Sequence, residues 1–591
     1  MRYCGVVAAV FASFFLFAAV RSPVPGINEP HYLARAKHSW NPDWCRGDFF
    51  LESAEAHVVF YHTVGRLTQW CSLEQAAWTG RVVALAVLAG GWTALVRRLV
   101  PGRWSPWWAS CVFLLLAAVG NFSGEWIVGG VEGKVFAYGL LFWAMALAGR
   151  RVGLAAMCAG LAVSFHPVVG LWGLVAAAVG QVLSLRGRGG GLPACRSPGA
   201  SSSRQATASE SPETAAGGPP AATMRLFGWV GNPSCGAMAL LVLFALPGLV
   251  PAMRMLGGAS PEAAAAANRI QAFDRLKHHL DPLEFPATAY AGYGLLIALW
   301  LLGRRFADRR STERRFMRIV AGSIVIALAG LAIGLRPESS QNGPFLDLRA
   351  ALLKFYPFRL ADVLVPLAAS VTLVGLASRW ARSEFWPRYH LRSALRRRLL
   401  WPVFTAALAV SLVLPAIDRN PSRLAADELA DWLDICRWVS RNTPVESSFF
   451  TPPESWAFKW YAQRAEYVTR KDCPQDAAGI IEWRRRMDER WRWLLVLRDS
   501  LRARTYCETL DRLGGKLGVT HAIVYTGWRA PAPALYRNRT FAVYATHEAC
   551  TVRANRLSLQ DDVSERGLVP VSPRGIGWIA RQSGSLRRQA F

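Results

Sequence analysis

The chain has 591 residues and a formal charge of +28, yet only 18% of its residues are charged while 52% are hydrophobic. Soluble proteins carry about 25% charged residues, so this composition excludes a disordered scaffold and argues strongly against an ordinary soluble enzyme. The basic residues fall in short Arg clusters between apolar runs and not along one exposed face, which is the pattern of a polytopic membrane protein and not of a nucleic-acid binder.

A membrane-spanning helix needs roughly 20 mostly apolar residues. Eleven runs meet or approach that length: 3–20, 82–100, 106–120, 133–149, 152–165, 167–185, 235–252, 287–303, 318–335, 361–378 and 399–416. The pair meeting at His166 is short enough to be a broken or re-entrant helix. The first run reads as an uncleaved anchor, with a cleaved signal peptide as the alternative. Loops 97–105, 150–151, 186–225, 304–318 and 379–398 hold 24 Lys/Arg against five Asp/Glu, whereas 21–81, 121–134, 253–286 and 335–362 hold 15 of each. By the positive-inside rule the first set is cytoplasmic. The expected protein therefore lies in the cytoplasmic (inner) membrane, N-terminus inside and C-terminal domain outside.

The expected organisation is an N-terminal membrane half over 1–185 with a long outer loop at 21–81, a cytoplasmic Gly/Ser/Pro/Ala linker over 186–224, and a second membrane half over 225–416. The linker has nothing to bury and reads as disordered. A small α/β domain follows over 417–555, then a polar tail over 556–591. Within that domain the patterns predict helices at 424–441, 482–502 and 505–517, and strands at 447–450, 466–469, 521–525 and 541–544. The fold class is thus mostly α, a polytopic bundle of about 11 spans with a small α/β extracytoplasmic domain. Six cysteines fall outside in this topology: Cys45, Cys71, Cys436, Cys473, Cys507 and Cys550. The even count allows a Cys45–Cys71 loop disulfide and two domain disulfides, and six reduced thiols fit it equally.

Seven of the ten His lie on the outer loops of the membrane part, so the polar site belongs there. The first outer loop carries Glu29 and His31 within GINEPHY and Asp48 within GDFFLES. Glu29 stands about eight residues past the first span, in a Pro-rigidified turn, where a carboxylate can accept a proton or hold a metal. Glu52, Glu55, Val59 and His62 recur at helical spacing. In the second loop, Glu132 and Lys134 start a helix, and Glu132 beside Glu29 would make a two-carboxylate site for Mg or Mn. His166 lines a break between spans. In the second half, His278, His279 and Asp281 precede one span, and Lys354 and Arg359 flank another. Those two cations suit a phosphate. Asp362, one helical turn from Arg359, is the expected ion-pair partner if Arg359 has only a structural role.

This layout resembles the polytopic glycosyltransferases of the GT-C superfamily, which includes protein mannosyltransferases and oligosaccharyltransferase catalytic subunits. The resemblance rests on the long first outer loop with an acid just after span one, the number of spans, and an outer domain opening with Asn442-Thr443-Pro444. GINEPHY, GDFFLES, HHLDP and the NTP…KWYAQR pair further resemble a bacterial, planctomycete-type group within it. The resemblance implies transfer of a sugar from a polyprenyl-phosphate donor to an acceptor on the outer face, with Glu29 at the position of the family's catalytic acid or base. The chain departs from the family in having no Asp-x-Asp or Asp-Glu pair in the first loop and no WWDYG-type motif. A transporter or lipid flippase is the competing reading, although it calls for ionisable residues in mid-span. A non-catalytic envelope protein of the same fold is the third.

Overall fold

The computed structural model describes residues 3–55, 57–186, 235–303, 311–337, 343–382, 393–414, 421–453, 455–503, 505–528 and 532–547. The linker beyond Arg186, the tail 556–591 and Cys550 lie outside the described residues. All eleven apolar runs are helical. Six of the helices are long and apolar enough to cross a membrane and five are shorter, which makes this a multi-pass membrane protein.

The first half runs α1 (Cys4–Arg21), α2 (Glu29–Trp40), α3 (Val58–His62), α4 (Leu73–Leu99), α5 (Ser105–Val119), α6 (Gly133–Leu147), α7 (Val152–Phe165) and α8 (Pro167–Arg186). Local chemistry sets several starts. Ser72 and Gln75 form a reciprocal capping box at α4, which satisfies two otherwise orphaned amides. Pro30 sits in the first turn of α2, where its missing N–H costs nothing and its fixed φ fits. The second half runs α9 (Cys235–Leu256), α10 (Pro261–Arg269), α11 (Lys277–Leu280), α12 (Ala287–Gly303), α13 (Ser311–Gly334), α14 (Leu346–Leu353), α15 (Arg359–Ala381) and α16 (Ser393–Val413). Helices cross where small residues allow it. A Cβ at Gly91 of α4 would lie 2.3 Å from the Gly139 carbonyl of α6, and one at Gly248 of α9 would lie 2.1 Å from the Ser164 carbonyl of α7. Without water to drive association, such close backbone contact is what holds spans together.

The C-terminal part contains α17 (Ala426–Asn442), β1 (Ser448–Phe450), α18 (Phe458–Ala462), β2 (Ala465–Glu466), α19 (Ala477–Ala503), α20 (Tyr506–Leu517), β3 (His521–Tyr525), β4 (Tyr536–Arg537) and β5 (Phe541–Ala545). The sheet order is β2-β1-β3-β5-β4, with β2, β1 and β3 parallel and β3, β5 and β4 antiparallel. Strand residues alternate between two cores. Phe449, Ile523, Phe541 and Val543 pack on Trp432, Cys436 and Val439 of α17. Phe450, Ala522, Val524 and Tyr544 pack on Leu497, Leu510 and Leu513 of the other helices.

Several expectations require correction. Glu29 does close a turn, its amide donating to the Gly26 carbonyl at 3.1 Å, but it also begins helix α2. No helix joins Glu52 to His62, because the Asp48 carboxylate accepts from the amides of Phe50 and Leu51 and closes a turn there, leaving only the short α3. Of the extended 466–469 stretch only Glu466 lies in a strand, and Tyr467 adds an amide bond to the Phe449 carbonyl at 2.9 Å. The Cys45–Cys71 disulfide that the even cysteine count allows is absent as well: both thiols are free. Cys45 is buried in a small cluster with Ala34, Phe50, Leu51 and Ala465, whereas Cys71 follows the 3-10 turn Val64–Gln69 at the foot of α4. Alkylation of the unfolded, unreduced protein is therefore expected to label both Cys45 and Cys71, and a cross-linked Cys45–Cys71 peptide pair in the mass spectrum would contradict this arrangement.

Candidate active site

Glu29 is fully buried, and its carboxylate is saturated. Oε1 accepts from Arg81 Nε at 2.6 Å and Val131 N at 2.8 Å, and Oε2 accepts from Arg81 Nη2 at 2.7 Å and Gly26 N at 2.6 Å. Arg81 of α4 also donates to the carbonyls of Ser22 and Pro23. This pair knots the end of α1, the start of α2, α4 and the 125–132 loop. A carboxylate with four strong donors has no lone pair free for an acceptor hydroxyl or a metal, so Glu29 is a structural clamp. The paired Glu29–Glu132 metal site does not form either: Glu132 Oε1 accepts from Asn28 Nδ2 at 2.7 Å, and its Oε2 faces Lys134 at 3.7 Å. Among the described residues, no group of three or more His, Cys, Asp or Glu has metal-holding geometry.

Asp48 is equally committed. Beyond its two turn amides, Oδ2 accepts from Glu466 N at 3.1 Å and lies 3.3 Å from Lys459 Nζ. Lys459 is buried among three carboxylates, with Glu466 and Asp472 each at 2.7 Å. Burial alone would lower the Lys459 pKa, but Asp472, Asp48 and Glu466 together raise it well above the ordinary value. Burial alone would likewise raise Asp472, but Lys459 and His31 overcome it and hold the carboxyl below the usual range. His31 Nδ1 meets Asp472 Oδ1 at 3.0 Å. These groups fasten the first loop to the sheet domain.

The chemically open constellation lies one step further along. The 121–125 loop is pinned to α15 because Asp362 accepts from Phe122 N, Ser123 N and Ser123 Oγ at 2.7–2.8 Å. Asp362 is therefore occupied, and Arg359, the first residue of α15, pairs with Glu125 instead, Nε to Oε2 at 2.9 Å. Lys134 Nζ reaches the same Glu125 oxygen at 3.6 Å. His166, the C-cap of α7, places Nε2 3.2 Å from Arg359 Nη1. The two cations rest on aromatic faces, Lys134 4.0 Å from the Trp126 ring centre and Arg359 3.9 Å from that of Tyr356, an arrangement that orients a cation while leaving donors free. Glu125 Oε1 is buried with no hydrogen-bond partner among the described residues. Burial raises the Glu132 pKa, and Lys134 and Asn28 pull it only part of the way back. His57 lies beside the centre, its ring 5.4 Å from His166 and its Nε2 3.2 Å from Tyr32 Oη. Burial pushes its pKa down to about 3.

Of the residues singled out from sequence, Glu132, Lys134, His166 and Arg359 are brought together. His31 and Asp48 belong to the Lys459 cluster. Asp281 is held by Arg336 in a buried bidentate pair at 2.8 and 3.0 Å, and Lys354 turns away to Asn268 of α10 at 2.9 Å. His279 hydrogen-bonds the Ser123 carbonyl, and burial pushes its pKa down to about 3. His278 is exposed. Sequence reasoning missed Glu125, His57 and Lys459. Glu125 opens the same Gly-rich loop as Glu132, and that shared loop was the available signal.

A family model described as a domain of unknown function (DUF6798) matches residues 430–490, a small part of the chain that includes Lys459, Glu466, Lys471 and Asp472. No curated protein matches. Among solved structures, the crystal structure of ArnT from Cupriavidus metallidurans bound to undecaprenyl phosphate is similar at 12% identity and a TM-score of 0.45, covering 92% of this chain and 97% of that one. A likeness at that score carries no argument for what this chain does.

Breaking a buried ion pair from one side costs about 3–5 kcal/mol. Arg81→Ala should thus lower stability by about that amount, and Glu29→Gln, which keeps the shape and one acceptor oxygen, by less. Thermal unfolding in detergent tests this, and two variants melting with the wild type would refute the clamp.

Proposed function

We propose that the protein is a membrane glycosyltransferase that moves a sugar from a polyprenyl-phosphate donor to an acceptor at the face where the 125–134 loop and the sheet domain meet, and that this face is the outer one. The observation that carries the reading is the buried Glu125 carboxylate, with one oxygen unpartnered, between Arg359 and Lys134 at the ends of apolar helices. Sugar transfer from a lipid phosphate needs a carboxylate to take the proton of the acceptor hydroxyl and cations to stabilise the departing phosphate. In this assignment Glu125 is the base, and Arg359 and Lys134 meet the phosphate, Arg359 through a planar fork suited to two oxygens. Glu132 sets the position of Lys134, and His166 that of Arg359. The loop charge balance, 24 basic to five acidic against 15 of each, supports the sidedness.

Glu125→Gln should reduce transfer by about 100-fold or more while leaving binding of polyprenyl phosphate within a few-fold. The assay follows release of polyprenyl phosphate from a polyprenyl-phosphate hexose by purified protein in nanodiscs supplied with an envelope extract as acceptor source. A Glu125→Gln protein as active as the wild type would eliminate this carboxylate as the base.

A further inference from the structure

The sheet domain reaches into this centre through residues 470–475. Asp472 is anchored to Lys459 and His31, which fixes its neighbour Lys471 against the membrane part. Lys471 Nζ donates to Asn28 Oδ1, and Asn28 Nδ2 in turn donates to Glu132. An ammonium has three N–H donors, and this is the one side-chain bond Lys471 makes among the described residues. No carboxylate there lies within ion-pair distance of it, although Arg81, Lys134, Arg336, Arg359 and Lys459 each have such a partner. Beside it, Arg275 donates Nη2 to the Lys471 carbonyl at 3.1 Å and lies 5.8 Å over the Trp483 ring. Arg275 Nε is buried with no partner among the described residues.

Two adjacent cations with unused donors and no carboxylate within ion-pair distance are costly to bury, and an anion that accepts from both lowers that cost. We infer that Lys471 and Arg275 form a second anion seat, contiguous with the Glu125–Lys134–Arg359 centre, which takes a phosphate or pyrophosphate group. Resting on the glycosyltransferase reading above, the inference makes the sheet domain part of the donor site, with Lys459 and Asp472 as positioning residues for Lys471. It also gives a role to Arg275. The environment agrees: burial first, then Arg275, pushes Lys471 down to about 8, with Glu132, Asp472 and Lys134 also facing it and His31 and His278 the titratable imidazoles beside it. Lys471 is a cation below that pH and loses its charge above it.

The test measures binding to protein in phosphatidylcholine nanodiscs of three probes: polyprenyl phosphate, the uncharged polyprenol and inorganic pyrophosphate. Wild-type protein should bind polyprenyl phosphate well and polyprenol weakly, with affinity falling as pH rises from 7 to 9. Lys471→Met and Arg275→Met should each weaken polyprenyl phosphate by about tenfold or more, in line with loss of a charge-assisted hydrogen bond. Lys471→Arg should retain binding and flatten the pH dependence. If wild type binds polyprenyl phosphate and the two Met variants match it, the seat is wrong while the glycosyltransferase reading stands. If only pyrophosphate binds, and Lys471→Met abolishes it, the seat is right and the lipid-linked donor is wrong. No binding of either phosphate overturns both.

Discussion

The arrangement depends on one buried ion pair. Arg81 and Glu29 sit with no exposed side-chain surface, and besides each other they bond backbone of Ser22, Pro23 and Gly26 between α1 and α2 and of Val131 in the 125–132 loop. A lone charge in that position would cost several kcal/mol, so the two residues hold one geometry, and the loop that carries Glu125 and Glu132 inherits it. The pair also removes the most prominent carboxylate of the first loop from chemistry. The acid nearest span one fixes the frame, and the acids of the next loop, Glu125 and Glu132, are buried beside Lys134.

From that clamp a continuous line of polar side chains runs outward. Glu132 leads through Asn28 to Lys471, Lys471 is followed in sequence by Asp472, and Asp472 leads to His31 and to Lys459 with its other carboxylates, Asp48 and Glu466. Every link joins a residue of the membrane part or its loops to one of the sheet domain, or prepares such a link. The sheet domain is thus tied in by charge as well as by apolar packing. Low local dielectric strengthens these contacts and makes their loss expensive. Burial raises Glu466 despite Lys459, and the neighbouring carboxylates of Asp472 and Asp48 add to the rise.

The spans were legible because lipid imposes one rule on every residue of a crossing helix, and an apolar run shows it directly. The outline of the sheet domain was legible for a similar reason: short apolar runs at 447–450, 521–525 and 541–544 read as strands, and in the fold their successive side chains enter two cores. The site was legible only in part. Lys134, His166 and Arg359 stand at helix ends beside breaks, a position that singles them out. Glu29 and Asp48 stand in positions just as conspicuous, yet their carboxylates are filled by donors distant in the chain: Arg81, Val131 and the amide of Glu466. Sequence order does not reveal which donors saturate a carboxylate. Lys459 opens the KWYAQR stretch, but nothing in that stretch shows its role, because the carboxylates around it come from three separate segments.

The most direct test of this account is an experimental structure of the protein in nanodiscs saturated with polyprenyl phosphate. The account predicts phosphate density within hydrogen-bonding distance of Lys134, Arg359 or Lys471, with Glu29 still clasped by Arg81. Density at Arg81, with the Glu29 pair opened to receive it, would contradict the account and return the first-loop carboxylate to the centre of the chemistry.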